Sequence, residues 1–385
     1  MIDLRIQRPW EDEDAVLFRD SLRKLLADMV PGNDARWRKQ KYVDREYWKQ
    51  LGSLGALCPS IPDAYGGSGG TFAFDAIVAE ELAYADTSSF TGVGVHGNIV
   101  AHYILGLGTE EQKQSWLPGM ASGDLIGAIA MTEPGGGSDL RGMRTTARKV
   151  GGDYVINGSK IFITNGQIAD VVILACKTDP DAGSKGISLI VAETRDLPGF
   201  ERGRGLDKIG LHGSDTAELA FSDVRVPCGN LLGEEGRGLQ MMMRNLPQER
   251  IGIAVGAQAQ LERAIELTHQ YTSDRTAFGQ RLVDFQASRH KLAECLTEAL
   301  VSRAFIDRCI ARQIEGSLTS SEASMAKCWS TDRAYRVIDD CVQLHGGYGY
   351  MEEYAIARLW ADCRVQRIYG GANEIMKELI GREFA

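Results

Sequence analysis

Several stretches of this chain carry residue types that can do chemistry. Ala130-Met131-Thr132-Glu133-Pro134-Gly135-Gly136-Gly137-Ser138-Asp139 closes a strand-like run with a glycine-rich turn bracketed by hydroxyls. Backbone N–H groups in such a turn are free to meet an anion or the polar edge of a cofactor ring. A plain turn accounts for it equally well. Ile161-Phe162-Ile163-Thr164-Asn165-Gly166 offers an aromatic ring and a hydroxyl at the end of another strand. Gln343-Leu344-His345-Gly346-Gly347-Tyr348-Gly349 and Arg367-Ile368-Tyr369-Gly370-Gly371-Ala372-Asn373-Glu374 place paired glycines in helical surroundings. A glycine inside a helix costs roughly 1 kcal/mol against alanine, so such pairs mark turns or places where something approaches the backbone. His345 by itself reads as a structural histidine. Asn245-Leu246-Pro247-Gln248-Glu249-Arg250 contributes a carboxylate that could take a proton. Most helical glutamates are solvated, and the segment alone leaves both readings open.

Other patterns argue against particular chemistries. Gly92-x-Gly94-x-x-Gly97 matches the dinucleotide fingerprint but follows a helix-like segment with no βαβ unit around it. Small residues easing backbone approach at a helix start are expected there. Gly66-Gly67-Ser68-Gly69-Gly70 has no preceding strand, so a loop is expected rather than a nucleophile elbow. The eight cysteines are scattered without a C-x-x-C pair, which predicts reduced thiols. The six histidines lack ligand spacing, so no metal is expected.

The elements that must hold these stretches follow from the apolar spacing. Residues up to about 125 read as helical, over Ala15–Met29, Arg45–Gly55 and Phe72–Ala85, broken at Pro31-Gly32. Short strands follow at Leu125–Thr132, Arg144–Val150, Tyr154–Ile156, Lys160–Thr164, Val171–Lys177, Gly186–Glu193 and Ala217–Phe221. Asn157-Gly158 signals a hairpin between two of them. From about Gly236 the pattern is helical again, and the long segments 250–272, 283–313 and 320–345 predict an antiparallel bundle. The expected fold class is α+β multidomain: an all-α domain at 1–124, a small β-barrel or sandwich domain at 125–234, and a four-helix bundle at 235–385. A net charge of −9 argues against a nucleic-acid partner. No run of about 18 apolar residues exists to span a membrane. The N-terminal segment reads as neither signal nor transit peptide, so a cytoplasmic location is expected.

Together these stretches resemble the acyl-CoA dehydrogenase flavoproteins over the whole chain. The likeness rests on T-E-P-x-x-G-S-D, the F-I-T-N strand, R-x-x-F-G at Arg275–Gly279, Q-L-H-G-G and I-Y-G-G-x-N-E, in that order. It implies FAD as cofactor, an acyl-CoA substrate, an electron-transfer flavoprotein as acceptor and a homotetramer. By motif, Ile129, Met131, Thr132, Gly137, Ser138, Phe162, Ile163 and Thr164 would line the flavin ring. Arg275 and Gln286 would be lent by a neighbouring subunit to the pyrophosphate and adenosine half, where a guanidinium fork matches phosphate oxygens. Gln343, Leu344, Gly346 and Gly347 would lie under the same half. Ala372, Asn373 and Glu374 match the flavin-contacting triplet, although Ala372 replaces a common threonine. Ser138, Gly370 and Gly371 would face the thioester, with Gln240, Pro247, Gln248 and Arg250 along the substrate.

The same resemblance singles out the base. Much of the family carries a glutamate where this chain has Gly370, which has no side chain to accept a proton. A minority layout, similar to the long-chain and isovaleryl-CoA dehydrogenases, puts it immediately before the arginine of the earlier segment. Leu246-Pro247-Gln248-Glu249-Arg250 fits that layout and makes Glu249 the candidate catalytic base. Long straight chains and branched acyl groups both remain open as substrates. An oxidase handing electrons to oxygen, or a silent acyl-CoA- or FAD-binding relative, are the alternative readings.

Overall fold

The computed structural model describes residue 4, residues 7–85 and residues 87–384; Met1, Ile2, Asp3 and Arg5 of the N-terminal reading lie outside them. Helix α1 (Glu13–Gln40) begins where the Asp12 carboxylate accepts the Ala15 N–H at 2.8 Å. It does not break at Pro31. An interior proline costs about 3 kcal/mol, but Leu22, Leu26, Val30 and Trp37 bury one continuous stripe across it, and that burial outweighs the lost bond. Helices α2 (Arg45–Ser53) and α3 (Phe72–Ala85) follow the expected spans closely. Next come α4 (Thr87–Val93), a π-helical stretch Gly94–Ala101, α5 (His102–Leu107) and α6 (Glu110–Ser122). Gly92, Gly94 and Gly97 therefore sit inside a helical run rather than at its start. A Cβ on Gly97 would collide with the Leu57 carbonyl oxygen, so close backbone approach is what that position requires.

The central part is one eight-stranded sheet in the order β6-β7-β3-β2-β4-β5-β8, with β1 paired on β4. Its strands are β1 (Gly127–Ala130), β2 (Thr146–Val150), β3 (Asp153–Thr164), β4 (Val171–Lys177), β5 (Ile187–Glu193), β6 (Phe200–Gly205), β7 (Thr216–Pro227) and β8 (Leu231–Leu232). Asn157-Gly158 makes no hairpin. β3 runs straight through it, antiparallel to β7, and the register shift between Ile156 and Gly158 places the extra residue on β7, between Val224 and Phe221. β6 has no counterpart among the expected strands. Its Phe-Glu-Arg-Gly-Arg-Gly sequence lacks apolar alternation, and it lies largely exposed at the end of the sheet.

β4 is buried on both faces. Val172, Leu174 and Cys176 join Tyr154, Ile190, Leu219 and Phe221 in the core that the sheet curls around. Val171, Ile173 and Ala175 instead join Leu57, Val100, Ile104 and Met120 in the core shared with the N-terminal helices. That near-continuous apolar run is the pattern of a strand covered on both sides.

The C-terminal part is a helical bundle of α7 (Gly238–Asp274), α8 (Gln286–Ile314) and α9 (Ser320–His345), with the shorter α10 (Ala355–Cys363) and α11 (Asn373–Gly381). α7 starts at Gly238, close to where the helical pattern is read to return, and passes through Pro247, so Glu249 stands in mid-helix. No described helix is long and apolar enough to cross a membrane. The helical parts are joined by a buried ion cluster. Arg19 of α1 meets Glu80 at 2.7 Å and Glu81 at 2.6 Å, and Arg303 of α8 binds Glu80 and, at 2.8 Å, Glu262 of α7.

Candidate active site

A cavity of about 850 Å³ opens where the three parts meet. That is toward the upper end of the roughly 300–1,000 Å³ of ligand pockets. Leu82, Phe90, Val95, Ile99, Leu246 and Ile253 supply apolar wall from α3, the α4–α5 run and α7.

Ile129, Met131, Thr132, Gly137 and Ser138 reach the cavity from the end of β1 and the turn after it. That turn is pinned internally. Pro134-Gly135 is closed by the Gly136 N–H donating to the Glu133 carbonyl at 3.0 Å. The Glu133 carboxylate accepts from the backbone of Arg144 at 2.6 Å and Thr145 at 3.0 Å, and from Lys160 Nζ at 2.9 Å. Burial works to raise its pKa, yet these donors hold it down at about 2. Glu133 is thus an anion that fixes the turn, not a proton acceptor. Phe162, Ile163 and Thr164 line the cavity from β3. Phe162 has φ +62° and is 64% exposed, so a planar apolar face is presented between hydroxyls and strand-end backbone.

Glu249 lies on the wall supplied by α7 and is 8% exposed. Burial pushes its carboxyl up to about 7, partly offset by the Tyr103 hydroxyl, which donates to Oε1 at 3.0 Å, and by the charge of Arg250. Arg250 is itself turned toward α9, donating from Nη1 to Ser324 Oγ at 3.1 Å. Gly370 and Gly371 line the same cavity with φ of +63° and +94°, a conformation open chiefly to glycine. A Cβ at Gly370 would press on Ile253 Cδ1. The glycine loop is tethered from behind by Lys327, whose Nζ donates to the Gly371 carbonyl at 2.7 Å and to Asn373 Oδ1 at 2.9 Å.

The remaining named residues fall elsewhere. Gln240 is at the surface and does not line the cavity, although Met243, one turn on, does. Pro247 and Gln248 are half-buried behind the wall, with Gln248 Nε2 donating to Asn98 Oδ1 at 3.2 Å. Asn373 is buried and bonded internally to Lys327, Thr331 and Asp332, while Ala372 caps α11 and Glu374 is exposed in its first turn. Arg275, Gln286, Gln343, Gly346 and Gly347 are exposed, Leu344 is half-buried, and Arg275 lies over the Tyr348 ring at 5.6 Å. His345 is structural: its Nδ1 pairs with the Cys341 carbonyl at 2.8 Å and its ring stacks on Tyr271.

Two residues of the site carry no sequence signal strong enough to single them out. Tyr103 sits in an apolar helical run, and a lone phenol there reads as core. Lys327 reads as an exposed helix lysine until its partners are seen, although Ser324, Ala326 and Ser330 around it show a face too small-sided and polar to be purely solvated.

Comparison with known proteins places the chain. The N-terminal, middle and C-terminal domain models of acyl-CoA dehydrogenase match residues 12–124, 128–224 and 236–385. The chain is 48% identical to the mitochondrial long-chain specific acyl-CoA dehydrogenase of Sus scrofa, over all of this chain and 89% of that one. It is 37% identical to the mitochondrial isovaleryl-CoA dehydrogenase of Pongo abelii, over 97% and 89% of the two chains. The crystal structure of acyl-CoA dehydrogenase from Geobacillus kaustophilus superimposes with a TM-score of 0.95 at 48% identity, covering 98% of this chain and all of that one. The chain therefore belongs to the acyl-CoA dehydrogenases, a family of flavin-dependent oxidoreductases.

Proposed function

We propose that this enzyme converts an acyl-CoA thioester to the trans-2-enoyl-CoA, with Glu249 as the base that removes the proton next to the thioester carbonyl. The observation that carries the reading is the pairing of a buried Glu249 carboxyl with a side-chain-free Gly370 in one cavity. A base works best with a pKa near the operating pH, and burial brings this carboxyl to about 7. Tyr103 orients the carboxylate by its hydrogen bond to Oε1, which leaves Oε2 to meet the substrate proton. The apolar wall excludes water and so keeps the abstracted proton on Glu249.

FAD, when bound, supplies the hydride acceptor for the neighbouring carbon. The exposed Phe162 face and the hydroxyls of Thr132, Ser138 and Thr164 fit a flavin ring at the cavity. Arg275, Gln286 and the Gln343–Gly347 backbone are exposed on a single chain, as expected if a neighbouring subunit of a homotetramer offers them to the cofactor's phosphate and adenosine half. The triplet Ala372, Asn373 and Glu374 acts on this reading through Asn373 and the Lys327 tether, which position Gly370-Gly371 against the thioester. The proposed acceptor is an electron-transfer flavoprotein, and the cavity volume suits a long or branched acyl chain.

The test is anaerobic bleaching of the purified flavoprotein by a panel of acyl-CoAs varied in length and branching. Bleaching in the parent enzyme and, with ligand still bound, none on the parent's timescale in Glu249→Gln is the expected result. Normal bleaching in the variant would overturn the assignment of the base.

A further inference from the structure

Two glycines stand inside α7, and each makes room for a residue of the cavity wall. Alanine suits a helix better than glycine by about 1 kcal/mol, and Ala254, Ala257 and Ala259 occupy neighbouring positions. Glycine at 252 and 256 therefore needs a reason of its own. At Gly252 a Cβ would stand 2.7 Å from the amide nitrogen of Asn98, which lines the cavity. At Gly256 a Cβ would run into the Phe90 ring, meeting Cζ and lying 2.7 Å from Cε2 and 2.8 Å from Cε1. Carbon atoms pack at about 3.5–4.0 Å, so the ring rests directly on the bare backbone of Gly256.

Phe90 closes the cavity at that point. Leu246, Glu249 and Ile253 line it from α7 at helical spacing, and the stripe ends at Gly256, which the ring covers. Gly256 lies roughly two turns beyond Glu249, about 10 Å along the helix axis. Phe90, Leu82 and Val93 are buried where they line the cavity, whereas Arg141 and Arg382, which also line it, are exposed. The first group marks the closed end and the second the mouth.

Resting on the proposed reaction, we infer that Phe90, seated on Gly256, is the end stop of the acyl cavity and sets the longest chain the enzyme accepts. The ring has the Gly256 backbone against it and the cavity on its open side. A methyl group added at 256 would displace the ring toward that open side and shorten the space. Truncating Phe90 would lengthen it. The two residues act as one device: the glycine holds the ring back, and the ring fixes the depth.

The experiment measures kcat/KM for straight-chain acyl-CoAs of stepwise increasing length. It also measures, by equilibrium dialysis against the holoenzyme, the dissociation constants of the matching trans-2-enoyl-CoAs, which have no hydride to give the flavin. In the parent both quantities are expected to improve with length and then break at one limit. Gly256→Ala moves the break to shorter chains, costing roughly tenfold or more for the longest chain the parent accepts and leaving the shortest unchanged. Phe90→Ala moves the break to longer chains. So does the double variant, since the added methyl then meets no ring. A parent with no break overturns the inference, as does a break at the parent's length in Phe90→Ala. A loss in Gly256→Ala spread evenly over all lengths does the same. Phe90→Leu, which keeps more of the core filled, decides the point if the alanine variants fail to fold. If no acyl-CoA bleaches the flavin, the proposed reaction falls instead, and the enoyl-CoA dissociation constants still decide whether Phe90 is the end stop.

Discussion

Glu80 and Glu249 are the same residue type, both buried, and their surroundings drive them to opposite ends of their titration. Burial works to raise both. At Glu80 the charges of Arg303, Arg19 and Arg8 overcome it and hold the carboxylate well below its usual range. At Glu249 only the Tyr103 hydroxyl and a turned-away Arg250 oppose it, and the carboxyl rises to about 7. The lesson is that burial alone does not make a base. What matters is whether cations have been gathered around the carboxylate, as at the junction of α1, α3, α7 and α8, or kept at arm's length, as on the cavity wall. The first arrangement holds helices together and the second keeps a proton acceptor near neutrality.

The sharpest way to break this contrast is Glu249→Gln, which is expected to slow flavin reduction by about a thousandfold, read by anaerobic stopped flow. Glu80→Gln should leave Arg19 and Arg303 under-compensated and destabilise the fold by roughly 3–5 kcal/mol, read by denaturant unfolding. The pH dependences should run in opposite directions. Glu80 has a depressed folded pKa, so its stabilisation is full above its unfolded pKa and is lost as pH falls toward the folded value. Glu249 is raised, so its share of stability is present at low pH and lost as pH rises from its unfolded pKa through about 7. On the proposed mechanism the reaction needs the carboxylate, so kcat/KM should climb with pH to a plateau above about 7. Tyr103→Phe removes the bond that favours the charged form and should move that limb upward by about one pH unit. The smallest effect is expected for Gly370→Glu added to Glu249→Gln. The left-handed backbone at 370 costs a glutamate about 1–2 kcal/mol, and the new Cβ would press on Ile253. Turnover should recover only marginally, and further when Ile253→Ala is added.

Much of this architecture was legible in the residues. The helices of the first and last parts, β4 and the glycine-rich turns were readable because periodicity and turn chemistry agree there. Where the structure departs from the reading, tertiary packing has overridden a local signal. Pro31 does not stop α1, and Asn157-Gly158 does not turn β3. In each case the element continues on both sides of the punctuating residue, with buried side chains before and after it. The site was legible in its glycine and hydroxyl motifs, since backbone chemistry leaves marks in sequence. Tyr103 and Lys327 were not, because a single polar residue in a helical run looks the same whether it faces a core, a cavity or water.

β4 carries a consequence for how a ligand gets in. A strand that sits in two cores at once makes a poor hinge. Swinging the N-terminal helices off the sheet would bare Val171, Ile173 and Ala175 together with their partners Leu57, Val100 and Ile104. At about 25 cal/mol for each Å² of apolar surface, that is an expensive gate. Ligand entry is therefore expected to leave this frame shut.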